Sequence, residues 1–103
     1  MSTQGIPEGT VTVLFTDLVE STQLNQALGD DAARQIGRQV EEMARQAVAS
    51  NRGALIKEMG DGLMAAFASA RRAIAAAREM QLQMRQLHRN GLDEAVEMRI
   101  GLH

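Results

Sequence analysis

A glycine-flanked turn between two short apolar segments constrains the fold more than any other feature of this chain. The turn runs from Met59 to Gly62 and contains Asp61, and the segments are residues 54–58 and 63–67. Short β-prone runs on either side of a glycine-containing turn are typical of a β-hairpin. The pattern therefore predicts two antiparallel strands that are neighbours in one sheet.

The remaining segments alternate between strand and helix periodicity. Residues 10–16 are β-branched and apolar, which predicts a largely buried strand, and strict alternation over residues 96–103 predicts a strand with one covered face. Apolar residues at helical spacing predict the helices. The predicted helices are a short one from Ser21 or Thr22 to Gly29, one capped by Asp30 and ended by residues 51–53, and one capped by Ser69 and ended by Asn90-Gly91.

The predicted order of elements is β-α-α-β-β-α-β. This order is typical of an α+β fold, the ferredoxin-like split βαβ sandwich, with an antiparallel sheet and helices on one face. A right-handed first crossover places the third strand between the first and the second. The end of strand one then lies beside the start of strand three, so we expect Asp17 and Asp61 at the same end of neighbouring strands.

Composition excludes several classes of protein. A chain of 103 residues is long enough for one domain, and its net charge of −2 argues against a general nucleic-acid binder. Phe15 and Phe67 are its only aromatic residues, too few for an RNA-stacking sheet. It has no cysteine and no apolar run near the ~20 residues of a membrane span. Residues 1–9 do not resemble a signal peptide and are predicted to be a flexible lead-in. The absence of cysteine is consistent with a cytoplasmic protein.

The chain is predicted to turn after Asp17, through residues 18–21, and this turn and the turn that contains Asp61 have the chemistry of a metal and nucleotide site. Two carboxylates in close approach repel each other unless one is protonated or a cation lies between them. Mg²⁺ and Mn²⁺ prefer oxygen ligands and are often shared with phosphates, which backbone N–H groups after Asp17 can bind. Lys57 can donate to a bound nucleotide. Taken singly, Asp17 is equally a helix cap, Asp61 is more often a turn residue, and a strand-end lysine usually points into water.

Three blocks of sequence together resemble a known family. Residues 15–22, residues 56–64 and residues 98–103 are similar to the class III adenylate/guanylate cyclase catalytic domain, in the same order and at plausible spacing. The resemblance covers residues 10–103, nearly the whole chain.

The resemblance implies a role for each matching residue. Asp17 and Asp61 would be the paired aspartates that bind two Mg²⁺ or Mn²⁺ ions, with the Leu18 carbonyl as a further ligand. Lys57 would contact the adenine of ATP. The family forms its sites between two catalytic domains, so a homodimer or a second cyclase domain is implied. The residues expected to hold the triphosphate are Leu18, Val19, Glu20, Ser21 and Thr22.

Two features depart from the family pattern. Family domains continue beyond the position of His103 with an asparagine and an arginine that stabilise the transition state, so we expect residues 10–103 to be a catalytic domain truncated on its C-terminal side. Loss of one such donor typically costs about 10²–10³ in rate, so we expect little activity from these residues alone. Glu20 stands where members often carry a small or apolar residue. The alternative interpretation is a non-catalytic nucleotide- or metal-binding module used for regulation or dimerisation.

Overall fold

The computed structural model describes residues 11–19, 29–59 and 62–103. Within these ranges the strands form one sheet in the order β2-β3-β1-β4, and each neighbouring pair is antiparallel. The elements are β1 (Thr12–Val19), α1 (Asp30–Ser50), β2 (Ala54–Glu58), β3 (Leu63–Phe67), α2 (Ala70–Arg89) and β4 (Glu97–Leu102). The predicted fold class is confirmed. The predicted lead-in and the short helix after Ser21 lie outside the described residues.

The strand order agrees with the prediction from the right-handed crossover. β3 lies between β1 and β2, and its register with β1 pairs Thr12 with Phe67 and Phe15 with Met64. The C-terminal end of β1 therefore lies beside the N-terminal end of β3. The hairpin strands β2 and β3 begin and end at the predicted residues.

Both helices pack on one face of the sheet, and the core lies between them and the strands. Because apolar residues recur at helical spacing, each helix presents one continuous apolar side to this face. The buried core cluster consists of Leu14, Leu63, Ala65 and Phe67 from the strands, Ala44, Ala47 and Val48 from α1, and Ala73, Ala76 and Met80 from α2. The other face of the sheet has no helix from the described residues, and we call it the open face.

The two helices begin differently. Ser69 caps α2 as predicted, since its hydroxyl accepts a hydrogen bond from the Arg72 N–H at 3.3 Å. The prediction that Asp30 caps α1 is wrong. Gly29 is the N-cap, at a φ of 84°, so Asp30 is instead in the first helical turn, where its carboxylate interacts favourably with the helix dipole. Within the described ranges, neither helix has an apolar stretch that would let it cross a membrane.

β1 is longer than its sequence pattern predicts. We expected the strand to end at Thr16 and the chain to turn after Asp17, but β1 continues to Val19. The reason is pairing with β4, which extends along β1 from Leu14 to Val19. Backbone hydrogen bonds to a neighbouring strand keep a chain extended whatever its local preference. Asp17 is thus a residue within a strand and not the first residue of a turn.

Candidate functional site

A row of residues crosses the open face from one edge strand to the other. The registers pair Lys57 with Met64, Met64 with Phe15, and Phe15 with Gly101. Side chains of directly paired residues lie on the same face of a sheet. Lys57 on β2 and Phe15 on β1 are therefore on one face. Asp17, two residues beyond Phe15, is on that face too.

The Phe15 ring lies directly over Gly101. A Cβ atom at position 101 would be 2.7 Å from Phe15 Cε2, closer than real Cβ contacts allow. Phe15 is nevertheless 39% exposed, so part of the ring is not covered by the described residues. An exposed aromatic ring on a sheet face is available for contact with a ligand or another chain.

Asp17 is paired with an arginine that the sequence analysis did not single out. Arg99 lies directly opposite Asp17 in the β1–β4 register, and its Nη2 donates to Asp17 Oδ2 at 2.8 Å. The two side chains are 72% and 48% exposed, respectively, so the pair is solvated. The alternation of residues 96–103 places Arg99 on the polar side of β4. The sequence pattern does not reveal the strand register that brings this side of β4 next to Asp17.

These residues line an open cleft with a volume of about 490 Å³. Apolar side chains form most of its walls, and the ion pair of Asp17 and Arg99 lies at one side. The lining residues are Phe15, Thr16, Asp17, Met59, Met64, Arg99, Ile100 and Gly101.

The hairpin that carries the second acidic turn is held against β1 beside Asp17. The Met59 N–H donates to the Gly62 carbonyl at 2.8 Å and so closes the turn. The buried Thr16 hydroxyl accepts a hydrogen bond from the Leu63 N–H at 3.1 Å. A Cβ atom at Gly62 would be 1.9 Å from the Thr16 carbonyl oxygen and 3.3 Å from Asp17 Cα. Only glycine fits at this position, since the obstructing atoms are backbone.

The main-chain groups of Leu18 and Val19 point to opposite sides of β1. Val13 and His103 exchange both backbone hydrogen bonds, at 2.9 and 2.8 Å, so they form a hydrogen-bonded pair. Such pairs alternate along an antiparallel ladder. The backbone N–H and C=O groups of Val19 are therefore directed towards β4. The Leu18 carbonyl is directed to the β3 side, beyond the last β1–β3 pair at Phe15.

The predicted site residues divide into two groups. Asp17, Leu18 and Val19 lie on β1 and Lys57 on β2. The remaining members of the predicted set lie outside the described residues: Glu20, Ser21, Thr22 and Asp61. The expectation that Asp61 lies beside Asp17 therefore remains a prediction. Gly62, the next residue in the sequence, lies against Asp17.

The donor chemistry on β1 suits a hard divalent cation. Arg99 occupies Oδ2 of Asp17, and the Leu18 carbonyl lacks a strand partner on its side within the described sheet. Carboxylate and carbonyl oxygens are the ligands that Mg²⁺ and Mn²⁺ prefer. The described part of the chain contains no group of three or more histidine, cysteine, aspartate or glutamate residues that could hold a metal by itself.

Comparison with known proteins establishes the family. Residues 4–103 match the family model described as the adenylate and guanylate cyclase catalytic domain. Since the match extends over almost the entire sequence, the chain belongs to this family. A search of curated proteins found no match.

Solved structures with the same fold agree with this assignment. The guanylyl cyclase Cya2 superposes with a TM-score of 0.74 at 25% identity, over 89% of this chain and 52% of that one. An adenylate/guanylate cyclase/hydrolase from Silicibacter pomeroyi gives 0.69 at 27% identity, over 89% and 54%. A bacterial light-regulated adenylyl cyclase gives 0.76 at 19% identity, over 89% and 51%, a likeness of fold alone. The chain thus spans about half the length of these three solved chains.

Proposed function

We propose that this chain is part of an adenylate cyclase that converts ATP to 3′,5′-cyclic AMP and pyrophosphate with two Mg²⁺ or Mn²⁺ ions. The observation that supports it best is the shared open face of the sheet. In a chain of the cyclase family, Asp17 and Lys57 share this face with Phe15: Asp17 lies two residues along β1, and Lys57 lies two strands away in the same row as Phe15. A carboxylate for a cation and an ammonium donor for a base thus share one face of the sheet with the apolar side chains of Phe15 and Met64.

The oxygen ligands beside the cleft have distinct roles in the proposal. Asp17 offers Oδ1 to a cation while Arg99 donates to Oδ2, which favours one orientation of the carboxylate. The Leu18 carbonyl adds a second oxygen, and Asp61 is proposed to add the second carboxylate. When bound, the two ions would lower the pKa of the attacking ribose 3′-hydroxyl and neutralise the departing pyrophosphate.

The apolar part of the cleft is proposed to receive the nucleoside. Phe15, Met59 and Met64 form a surface that excludes water from one side of the base. Lys57 lies in the same row as Phe15 and Met64, and its ammonium group is proposed to donate to a ring acceptor of adenine. The triphosphate is proposed to bind along residues 18–22, with the Val19 N–H excluded because β4 already uses it.

The proposed enzyme contains two catalytic domains. The cleft lies on the open face, where the described residues place no helix, and the chain spans about half of the Cya2 and Silicibacter pomeroyi chains. We therefore propose that a second copy or a second cyclase domain covers the open face, and that residues 10–103 alone have little activity.

A second candidate is a nucleotide- or metal-binding module without catalysis. The ion pair of Asp17 and Arg99 favours it, because a carboxylate already neutralised by arginine binds a cation less strongly. Measurements of metal affinity and of turnover separate the two candidates.

Titration with Mn²⁺ in the presence of a non-hydrolysable ATP analogue tests the binding half of the proposal. Asp17→Asn removes a ligand charge and is expected to weaken Mn²⁺ binding at least about tenfold. Asp31→Asn is the matched control, since its carboxyl group is 98% exposed on α1, away from the cleft. If the two variants bind Mn²⁺ equally, Asp17 is not a metal ligand.

Turnover tests the catalytic half. With a longer chain that has the length of the matched cyclase domains, we expect cyclic AMP from ATP, and Lys57→Glu is expected to shift the preference towards GTP. Metal-dependent ATP binding without cyclic nucleotide formation in that longer chain would favour the module instead.

A further inference from the structure

A single line along the outside of α2 carries arginines and large aliphatic residues. Arg71, Arg78 and Arg85 recur every seven residues, which is close to two helical turns, so they lie one above another. The buried residues of α2, such as Met80 and Met84, lie on the opposite side of the helix. We call this line the arginine ridge: Arg71, Ile74, Arg78, Leu82, Arg85 and Arg89.

The arginine ridge is exposed and its charge is not balanced locally. Ile74 and Leu82 are 47% and 61% exposed, high values for large aliphatic side chains. The ion pairs among the described residues involve Arg34, Arg45 and Arg99, none of which belongs to the ridge. The ridge itself contains no acidic residue, although the chain as a whole is acidic.

The neighbouring helix α1 lies on the same face of the sheet but has a different surface. Arg34 pairs with Asp31 one turn away, and Arg45 contacts Glu58 of β2. Two of the three arginines of α1 therefore have carboxylate partners among the described residues. α1 also has four acidic residues against its three arginines, whereas α2 has five arginines and a single acidic residue, so excess positive charge belongs to α2.

We propose that the arginine ridge is a docking surface for an anionic lipid bilayer. Four arginines spread over about 27 Å match a surface of uniform negative charge, and each contributes about fivefold to partitioning onto such a membrane. The ridge is convex, as the outer side of any helix is, so a flat surface can touch its whole length. A protein partner would need a complementary groove.

The two aliphatic residues add a contribution that charge alone does not. Ile74 and Leu82 lie between arginines, where their side chains can enter the region between headgroups and acyl chains while the guanidinium groups stay at the phosphates. Their transfer from water to this region strengthens binding in proportion to the apolar area removed from water.

The position of the arginine ridge leaves the proposed nucleotide cleft accessible. The helices cover one face of the sheet, and the cleft is on the other. A bilayer in contact with α2 would therefore be on the far side of the domain from Asp17.

Co-sedimentation of the purified chain with vesicles tests the proposal. The probes are vesicles of phosphatidylglycerol mixed with phosphatidylcholine and vesicles of phosphatidylcholine alone. We expect binding only to the anionic vesicles at low ionic strength, with loss of binding in high salt. The double variant Arg78→Gln/Arg85→Gln is expected to lower partitioning about 25-fold. Glutamine keeps helix propensity, and circular dichroism checks the fold of the variant.

A matched variant separates the ridge from net charge. Arg34→Gln/Arg38→Gln removes the same charge from the exposed surface of α1 and is expected to change partitioning much less. Equal losses in the two double variants would overturn the proposal, because net charge would then explain binding. Absence of binding to anionic vesicles would also overturn the proposal. If the chain then bound a polyglutamate peptide, that result would point to an acidic protein partner instead of a bilayer.

Discussion

The chain has two phenylalanines, and they lie on opposite faces of the same sheet. Phe67 is fully buried on the face that the helices cover, whereas Phe15 is 39% exposed on the open face. Each ring lies against a glycine, since a Cβ at Gly53 would be 2.5 Å from Phe67 and one at Gly101 would be 2.7 Å from Phe15. The same contact between a phenylalanine ring and a glycine thus occurs once in the buried core and once on the partly exposed open face.

The difference teaches what each face contributes. On the covered face, Phe67 has neighbours on all sides, and its contacts stabilise the fold. On the open face, Phe15 has protein on one side and the cleft on the other, beside Asp17. We therefore expect substitutions on the covered face to change stability and those on the open face to change binding.

Truncation of Phe67 should have the largest effect on stability. Phe67→Ala removes a fully buried side chain and is expected to lower the free energy of unfolding by about 3–5 kcal/mol, measured by urea denaturation. Phe15→Ala is the comparison variant, and its loss should be much smaller while its affinity for an ATP analogue falls. Equal losses of stability would contradict the distinction between the two faces.

The two glycines provide the next test. Gly53→Ala forces a methyl group against the ring of Phe67 and the side chain of Val48, which are both buried. The free energy of unfolding, measured by urea denaturation, is expected to fall by about 3 kcal/mol. Gly101→Ala has only the exposed Phe15 ring to displace, and that ring can swing away from β4. A Gly101→Ala variant as unstable as Gly53→Ala would show that Phe15 is fixed in place.

The hydroxyl of Thr16 joins β1 to the start of β3 on the covered face, and its removal should have an intermediate effect. Thr16→Val keeps the side-chain shape but leaves the buried Leu63 N–H unpaired, at an expected cost of about 2 kcal/mol in thermal or urea unfolding. Thr12→Val, on the same side of the same strand, is the control. If both valine variants are equally stable, the hydrogen bond does not anchor the hairpin.

Removal of the Arg99 guanidinium should have the smallest effect on stability. The pair with Asp17 is solvated, so Arg99→Gln is expected to lower the free energy of unfolding by less than about 1 kcal/mol. Urea denaturation of this variant and of Phe67→Ala measures the smallest and the largest expected loss in the free energy of unfolding. A loss as large as that of Phe67→Ala would mean that the open face also carries stability.

Local patterns predicted the hairpin strands and the two described helices, because periodicity and turn residues act over a few neighbours. The bounds of β2 and β3 agreed with the structure, as did the Ser69 cap. The predicted end of β1 at Thr16 was wrong, because β1 pairs with β4, about 80 residues away in sequence, and this pairing keeps residues 17–19 extended. Arg99 was not identified for the same reason, since its contact with Asp17 depends on register.

The sequence by itself determined the fold class and the family, because both depend on the order of local patterns and on short blocks of residues. Only the tertiary structure decided which side chains share a surface. Strand register put Lys57, Phe15 and Asp17 on the open face and Arg99 against Asp17. Register is set by backbone hydrogen bonds between distant segments, and a shift of one residue would move each side chain to the opposite face.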